Sequence, residues 1–215
     1  MAGLPGSSEV GDAPALEALV ARTKGLQPWR RVVHAVSGIL CAGILVFLEP
    51  SRGWAVATLG GLAGLVLVLD WVRLRVPQVN FLFFRILRPL ASPREKGRVA
   101  SSTWFVVGCL VAVAAFPLQV AVSSILVLAL ADPVAGYVGQ RWGRTPMGSG
   151  TVEGSLTFSG LAFLILLGMS PWPTALVTAV ITAAVEALPL PLDDNVTIPG
   201  VAGATLWTLL LLQGG

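Results

Sequence analysis

Long uninterrupted apolar blocks run through this chain and leave it few folds to choose from. Seven can be counted, at roughly 32–48, 53–69, 99–116, 118–131, 155–170, 172–188 and 198–213. They lack both the 3.6-residue rhythm of a surface helix and the alternation of a strand, and soluble cores are not built from such blocks. With 55% hydrophobic and 12% charged residues among 215, the expectation is an all-α polytopic transmembrane bundle of about seven helices. Most blocks fall short of the ~20 residues that cross hydrocarbon. Either the helices run on into polar flanks, or some stop inside the bundle at a hydrated site. The third and fourth blocks, parted only around residues 116–118, are the least defined as separate spans.

Residues 1–27, rich in Gly, Ser, Ala and Pro, read as a flexible cytoplasmic tail with a short helix over 14–24, and residues 28–215 as a single transmembrane domain. The first apolar run follows Arg30 and Arg31 and has no small-residue cleavage site close behind it, so it is expected to remain as a membrane helix. Cys41 and Cys109 lie inside apolar blocks, without partners at metal-ligand spacing, and read as buried thiols.

Charge then orients the bundle. With the tail cytoplasmic and every block spanning, 13 of the 14 basic residues fall on the cytoplasmic side and only Arg52 falls outside. The basic residues are spread through the loops rather than massed in one arm, which argues for topology and against nucleic acid. The acids behave alike: Asp70, Glu95, Asp132, Glu153, Glu186, Asp193 and Asp194 map to the same side, and only Glu49 maps outside. Acids at membrane helix ends are costly and mark functional sites by default.

Three stretches on that side could carry chemistry. In ADPVAGYVGQRWGRTPMGSGTVEG, Asp132 ends an apolar block and is followed by Gly136, Gly139, Gly143, Gly148, Gly150 and Gly154, with Arg141 and Arg144 among them. As a loop, glycine amides and arginine forks are the parts of a phosphate cradle. The alternative is a plain interhelical loop in which Asp132 caps a helix opened by Pro133. Neither a Walker nor a Rossmann pattern is present. In the second stretch, Glu186 precedes Asp193, Asp194 and Asn195, hard oxygen donors suited to Mg²⁺, or simply a polar turn. In the third, Arg30, Arg31, His34 and Gly38 share the start of the first block, with His34 one turn beyond the arginines. Asp70 and Arg73 stand at i, i+3 and can form an ion pair; Glu95 and the hydroxyls Ser101, Ser102 and Thr103 could meet a head group or anchor the interface.

In order along the chain, R-R-x-x-H-x-x-x-G from Arg30, D-x-x-R at Asp70, E-K-G-R-V-A-S-S-T, A-D-P-V-A-G-Y-V-G-Q-R-W-G, T-V-E-G-S at Thr151 and D-N-V-T-I-P resemble the CTP-dependent lipid kinase family of dolichol kinase, phytol kinase and the yeast-type diacylglycerol kinase. The resemblance covers about residues 28–213 and implies transfer of the γ-phosphoryl group of CTP to the hydroxyl of a membrane lipid, with Mg²⁺ or another divalent cation. It implies Asp132, Glu186 and Asp194 as catalytic acids, with Asp132 and Asp194 holding the metal. Gly136, Gly139, Arg141, Gly143, Arg144, Thr151, Glu153, Gly154 and Asn195 would bind the nucleotide. Arg30, Arg31, His34, Asp70, Arg73, Glu95 and Ser102 would line a lipid head-group or phosphate pocket. The small size, the uncleaved start and the absence of a retention signal lead to the expectation of a bacterial inner membrane, with the site cytoplasmic; the expected partners are lipid and nucleotide and no nucleic acid, and the oligomeric state is undefined.

One departure from the family is Gly150, where relatives commonly carry Lys. Either Arg144 replaces that charge, or phosphate binding is weaker, or a different nucleotide or reaction is used. The competing readings are a phosphatidate cytidylyltransferase, whose denser acidic and His-Gly-Gly signature is missing here, and a small ion-coupled transporter, which would place its acids near the midplane.

Overall fold

A computed structural model describes the backbone of residues 7–214 and the side chains of residues 14–214. Among these residues the chain is almost wholly helical. In order it forms α1 (Ser7–Ala21), α2 (Pro28–Phe47), α3 (Arg52–Arg75), α4 (Pro77–Ile86), a short 3₁₀ turn (Pro93–Lys96), α5 (Ser101–Ala115) and α6 (Leu118–Leu126). A π-turn (Val127–Ala131) leads without interruption into α7 (Asp132–Trp142), and a two-stranded hairpin of β1 (Pro146–Met147) and β2 (Gly150–Thr151) follows. The chain closes with α8 (Val152–Leu167), α9 (Trp172–Glu186) and α10 (Asp194–Gly214).

Prolines punctuate the helices where their geometry demands it. Pro28 and Pro77 open α2 and α4 at positions whose N–H would be unsatisfied anyway. Val76 and Phe116, each preceding a proline, are pushed to extended backbone, and this ends α3 and separates α5 from α6. The third and fourth apolar blocks are therefore distinct helices, and the fourth runs on through the π-turn to Trp142.

Four stretches are long and apolar enough to cross a membrane: Pro28–Phe47, Arg52–Arg75, Leu118–Trp142 and Asp194–Gly214. Ser101–Ala115, Val152–Leu167 and Trp172–Glu186 are apolar but shorter. The first two long helices turn large side chains such as Val36, Leu40, Leu65 and Val68 outward. A continuous apolar exterior of this kind suits lipid and not water. Leu118–Trp142 is the axis of the bundle, 67% buried against 17% for α2 and for α3. Val120, Ile125, Val127, Leu128 and Ala131 are fully enclosed by α2, α5, α8 and α10. On α9, Ala175, Ala179 and Ala183 alternate with buried Thr174, Thr178 and Thr182, and such small side chains let it lie close to α8 and α10.

Two elements differ from the sequence expectation. Helix α1 begins before residue 14 and packs Val20, with Leu16 and Leu19, against Phe83, Phe84 and Ala91. Residues 77–86, read from sequence as loop, form α4, which rests on the end of α3.

A buried arginine ties that region together. Arg73 Nε donates to Asp70 Oδ1 at 2.7 Å, Nη1 to Asn80 Oδ1 at 3.0 Å and to the Glu95 carbonyl at 2.7 Å, and Nη2 to the Arg98 carbonyl at 2.7 Å, while Phe83 lies over its guanidinium. Asp70 Oδ2 accepts from the Ala100 N–H at 2.9 Å and from Thr103 Oγ1 at 2.6 Å. A fork of five fixed donors can hold two carbonyls, an amide oxygen and a carboxylate at once, and the three donors of a lysine cannot serve all four. Substituting Arg73→Met leaves Asp70 buried without its cation, which costs about 3–5 kcal/mol. Thermal unfolding in detergent is expected to show a midpoint lower by roughly 6 °C or more, with Arg73→Lys only partly restoring it.

Candidate functional site

The chemistry-bearing residues gather at one end of the bundle, where α2, α5, α8 and α10 begin and α3, α7 and α9 end. Contacts from Arg30 to Ser101, Arg31 to Pro133, Arg73 to Arg98 and Ser149 to Glu186 tie these termini into one face.

Asp132 stands at the junction of the π-turn and α7, half-buried in the axial helix. The next residue, Pro133, has no N–H to donate back and its ring crowds the preceding turn, a conflict that a π-turn relieves. Two carbonyls of this interrupted stretch are met by side chains from α2. Arg31 Nη1 donates to the Pro133 carbonyl at 2.7 Å, and His34 Nε2 lies 3.2 Å from the Leu128 carbonyl. His34 also sets its ring edge-on to Phe105, with centroids 4.7 Å apart.

The glycines following Asp132 are placed differently from the sequence expectation. Residues 132–142 are helix and not loop, so the amides of Gly136 and Gly139 lie inside α7 rather than in an open cradle. Gly136 is where the Arg31 guanidinium rests, with Nη1 2.7 Å from where a Cβ would sit. Gly139 faces Thr151 and Gly154, which lets α7 and α8 cross closely. Gly143 ends α7, and Gly148, at φ +56° in the hairpin turn, sits directly on the Ala187 carbonyl. The Ser149 N–H donates to that same carbonyl at 3.0 Å and Ser149 Oγ to the Glu186 carbonyl at 3.2 Å, so the hairpin is docked on the end of α9 beside Glu186. Thr151 caps α8 by accepting from the Gly154 N–H at 3.2 Å, and Glu153 accepts from the Thr145 N–H at 3.3 Å, ordering the hairpin's approach. Arg141 and Arg144 are exposed, and among the described residues neither makes an ion pair.

The second acidic stretch opens α10. Asp193, read from sequence either as a hard oxygen donor or as part of a polar turn, caps that helix: its Oδ1 accepts from the Asn195 N–H at 3.1 Å and from Asn195 Nδ2 at 2.6 Å. Asn195 is buried against α5, where only Gly108 leaves room for it; a Cβ there would collide with the Asn195 carbonyl. Asn195 Oδ1 is buried without a partner. Glu186 and Asp194 lie within electrostatic reach of Asp132 and of each other, and Asp132 also feels Arg31, Arg30 and Asp193. None of Asp132, Glu186 and Asp194 has a basic side chain within ion-pair distance among the described residues.

These oxygens are not gathered into a ready-made metal site: among the described residues no three His, Cys, Asp or Glu side chains form one. Unpaired carboxylates with an orphaned amide oxygen nevertheless suit a hard cation that arrives with phosphates and keeps some of its water. Cys109 is buried and Cys41 half-buried, both free thiols away from this end.

Beside the acids, a cavity opens between α2, α4, the 3₁₀ turn and α5. Arg30, His34, Glu95, Ser101 and Ser102 line its polar part, and Val33, Phe83, Leu87, Leu90 and Phe105 its apolar part. Arg30 reaches across it, donating to Ser101 Oγ at 2.6 Å and to Gln27 Oε1 at 3.2 Å, with Glu95 Oε1 at 3.9 Å. Both oxygens of Glu95 are held by backbone, Oε2 by the Ser92 N–H and Oε1 by the Ser101 N–H. Of the seven residues expected around this pocket, Arg30, His34, Glu95 and Ser102 line it; Arg31 turns to Pro133, and Asp70 and Arg73 are spent on the staple beneath. The apolar wall and Gln27 were missed; the apolar spacing of residues 82–90 could have signalled Phe83, Leu87 and Leu90, and nothing local marks Gln27.

The chain is similar to a lipid kinase. CTP-dependent diacylglycerol kinase 1 of Schizosaccharomyces pombe is 28% identical over 162 residues, which span 66% of this chain and 74% of that protein. No family model matches the chain, and no solved structure does. The similarity supports the family resemblance carried by the motifs.

Because Gly108 sets the approach of α5 to α10, Gly108→Ala is expected to force the two helices apart and move Asn195. Overpacking of this kind costs about 1–3 kcal/mol, readable as a lowered unfolding midpoint in detergent.

Proposed function

We propose that this protein is a membrane lipid kinase that transfers the γ-phosphoryl group of CTP to the hydroxyl of a lipid alcohol at the cytoplasmic face. The observation that carries the reading is the pairing, at one end of the bundle, of an acidic cluster that makes no ion pair among the described residues with an adjoining cavity that is polar at one part and apolar at the other. Thirteen basic residues assigned to that side by sequence support a cytoplasmic placement. The similarity to a protein named for CTP and diacylglycerol supports both donor and acceptor classes, with diacylglycerol favoured over polyprenol and phytol.

Phosphoryl transfer asks the protein mainly for positioning and charge neutralisation. Arg141 and Arg144, unpaired at the end of α7, hold the triphosphate, and Arg144 supplies the charge that Gly150 lacks. Asp132 and Asp194 would hold Mg²⁺, with Asn195 and Glu186 in support, and the bound cation would supply charge neutralisation of the phosphate oxygens. The cavity takes the head of the lipid, its chain lying along Phe83, Leu87 and Leu90, and presents the hydroxyl towards Asp132. The alcohol oxygen forms the new bond to the γ-phosphorus, the bond to the β–γ bridging oxygen breaks, CDP leaves, and the alcohol proton passes to a carboxylate of the cluster.

Purified protein in detergent, given CTP labelled at either the α or the γ phosphate and a panel of diacylglycerol, polyprenol and phytol, is expected to label lipid from γ only. Label from α would instead identify a cytidylyltransferase, and no lipid product with any nucleotide would leave a transporter. Asp132→Asn is expected to lower turnover at least ~100-fold with folding retained. Arg144→Ala is expected to raise KM for CTP about tenfold with KM for lipid unchanged, while Leu87→Trp, which fills the cavity, does the reverse.

A further inference from the structure

We infer that His34 stands in for a backbone donor that Pro133 cannot supply, and that it thereby holds the π-turn that sets the direction of Asp132. In a π-turn each N–H reaches back five residues rather than four. The carbonyl that Pro133 would serve in that register is Leu128, and His34 Nε2 is the group found on it. The contact requires the tautomer with the proton on Nε2, donating.

The rest of the face agrees. Arg31, His34 and Gly38 fall at i, i+3 and i+7 on one stripe of α2, and all three meet the same interrupted stretch: Arg31 on the Pro133 carbonyl, His34 on Leu128, and Gly38 pressed on Ala129, where a Cβ would collide with that alanine's own. Leu128, Ala129 and Ala131 are completely buried with His34 in place, so in the native fold the imidazole and not water serves this carbonyl. An unmet carbonyl at that depth is costly, and membrane helices tolerate a broken ladder where neighbouring side chains re-satisfy it. The π-turn inserts an extra residue before Asp132, rotating it about 100° relative to an unbroken α-helix. His34 is thus a positioning residue acting through Asp132.

The role of Asp132 in catalysis rests on the kinase reading, but the structural half is testable without nucleotide. Pro133→Ala restores an N–H, and in either the α or the π register the Leu128 carbonyl then has a backbone donor. In the native background His34→Leu is expected to lower the unfolding midpoint by at least about 3 °C, and His34→Gln, which keeps a donor at similar reach, by less than half of that. In the Pro133→Ala background His34→Leu is expected to cost little further. Equal losses in both backgrounds would overturn the inference, because His34 would then be packing only. In phosphoryl transfer, His34→Leu is expected to lower kcat at least tenfold with KM for CTP unchanged and His34→Gln to recover most of it. Unchanged kcat beside a coupled midpoint would remove the link to Asp132. Absence of any transfer by the native protein would overturn the kinase reading and leave the midpoint cycle to decide the rest.

Discussion

A broken hydrogen-bond ladder in the most buried helix is the constraint around which this bundle is arranged. Pro133 interrupts Leu118–Trp142 at a depth where water is not available to serve the freed carbonyls. Arg31 and His34 meet two carbonyls of that stretch, so α2 must lie against the axis in one register. Gly38 and Gly136 permit the approach, one by clearing Ala129 and the other by clearing the arginine. A second interruption occurs at Pro199, which has no N–H for the Asn195 carbonyl four residues back. That carbonyl turns to the Gly108 surface of α5. The two helices carrying Asp132 and Asn195 are therefore both irregular next to the candidate site, where regular backbone pairing is given up in exchange for side-chain placement.

The charged end divides its ionisable groups between structure and chemistry. Asp70, Arg73 and Glu95 have their polar atoms taken up by backbone amides, carbonyls and each other, and they hold the segment from α4 to α5 in place. Asp132, Glu186, Asp194, Arg141 and Arg144 make no such ion pairs among the described residues. Asp132 and Glu186 are half-buried while Asp194, Arg141 and Arg144 are exposed, and a triphosphate with its cation is the kind of ligand that would neutralise both signs together. The cavity shares Phe83 and Glu95 with the staple, so the hold of Arg73 on residues 95–98 also steadies the wall that carries Ser101 and Ser102.

Much of this could be read before any fold was known, because it depends on local chemistry. The i, i+3 spacing of Asp70 and Arg73 announced a pair, and Arg30, Arg31, His34 and Gly38 at the start of the first block announced a shared helix face, though only the structure separates Arg30 from the other three. The glycine-rich stretch misled. Glycine and proline density is ordinarily a loop signal; Pro133 offered a helix start, which the structure has, but nothing local indicates that Gly136 and Gly139 are the small residues this helix needs to cross α2 and α8. Helix α4 and the apolar wall it gives the cavity were hidden for a related reason: ten residues with an asparagine and an arginine among them look like loop until α3 and α1 cover them.

The sequence by itself determined that the chain is helical and membrane-embedded and that its charge collects at one end, since apolar transfer and helix periodicity act over a few neighbouring residues. Only the tertiary structure decided which charges are consumed and which are left free. Arg31 and Pro133 are 102 residues apart and His34 and Leu128 are 94 apart. Which carbonyl each side chain meets depends on the register in which two helices pack, and no local rule sets that register.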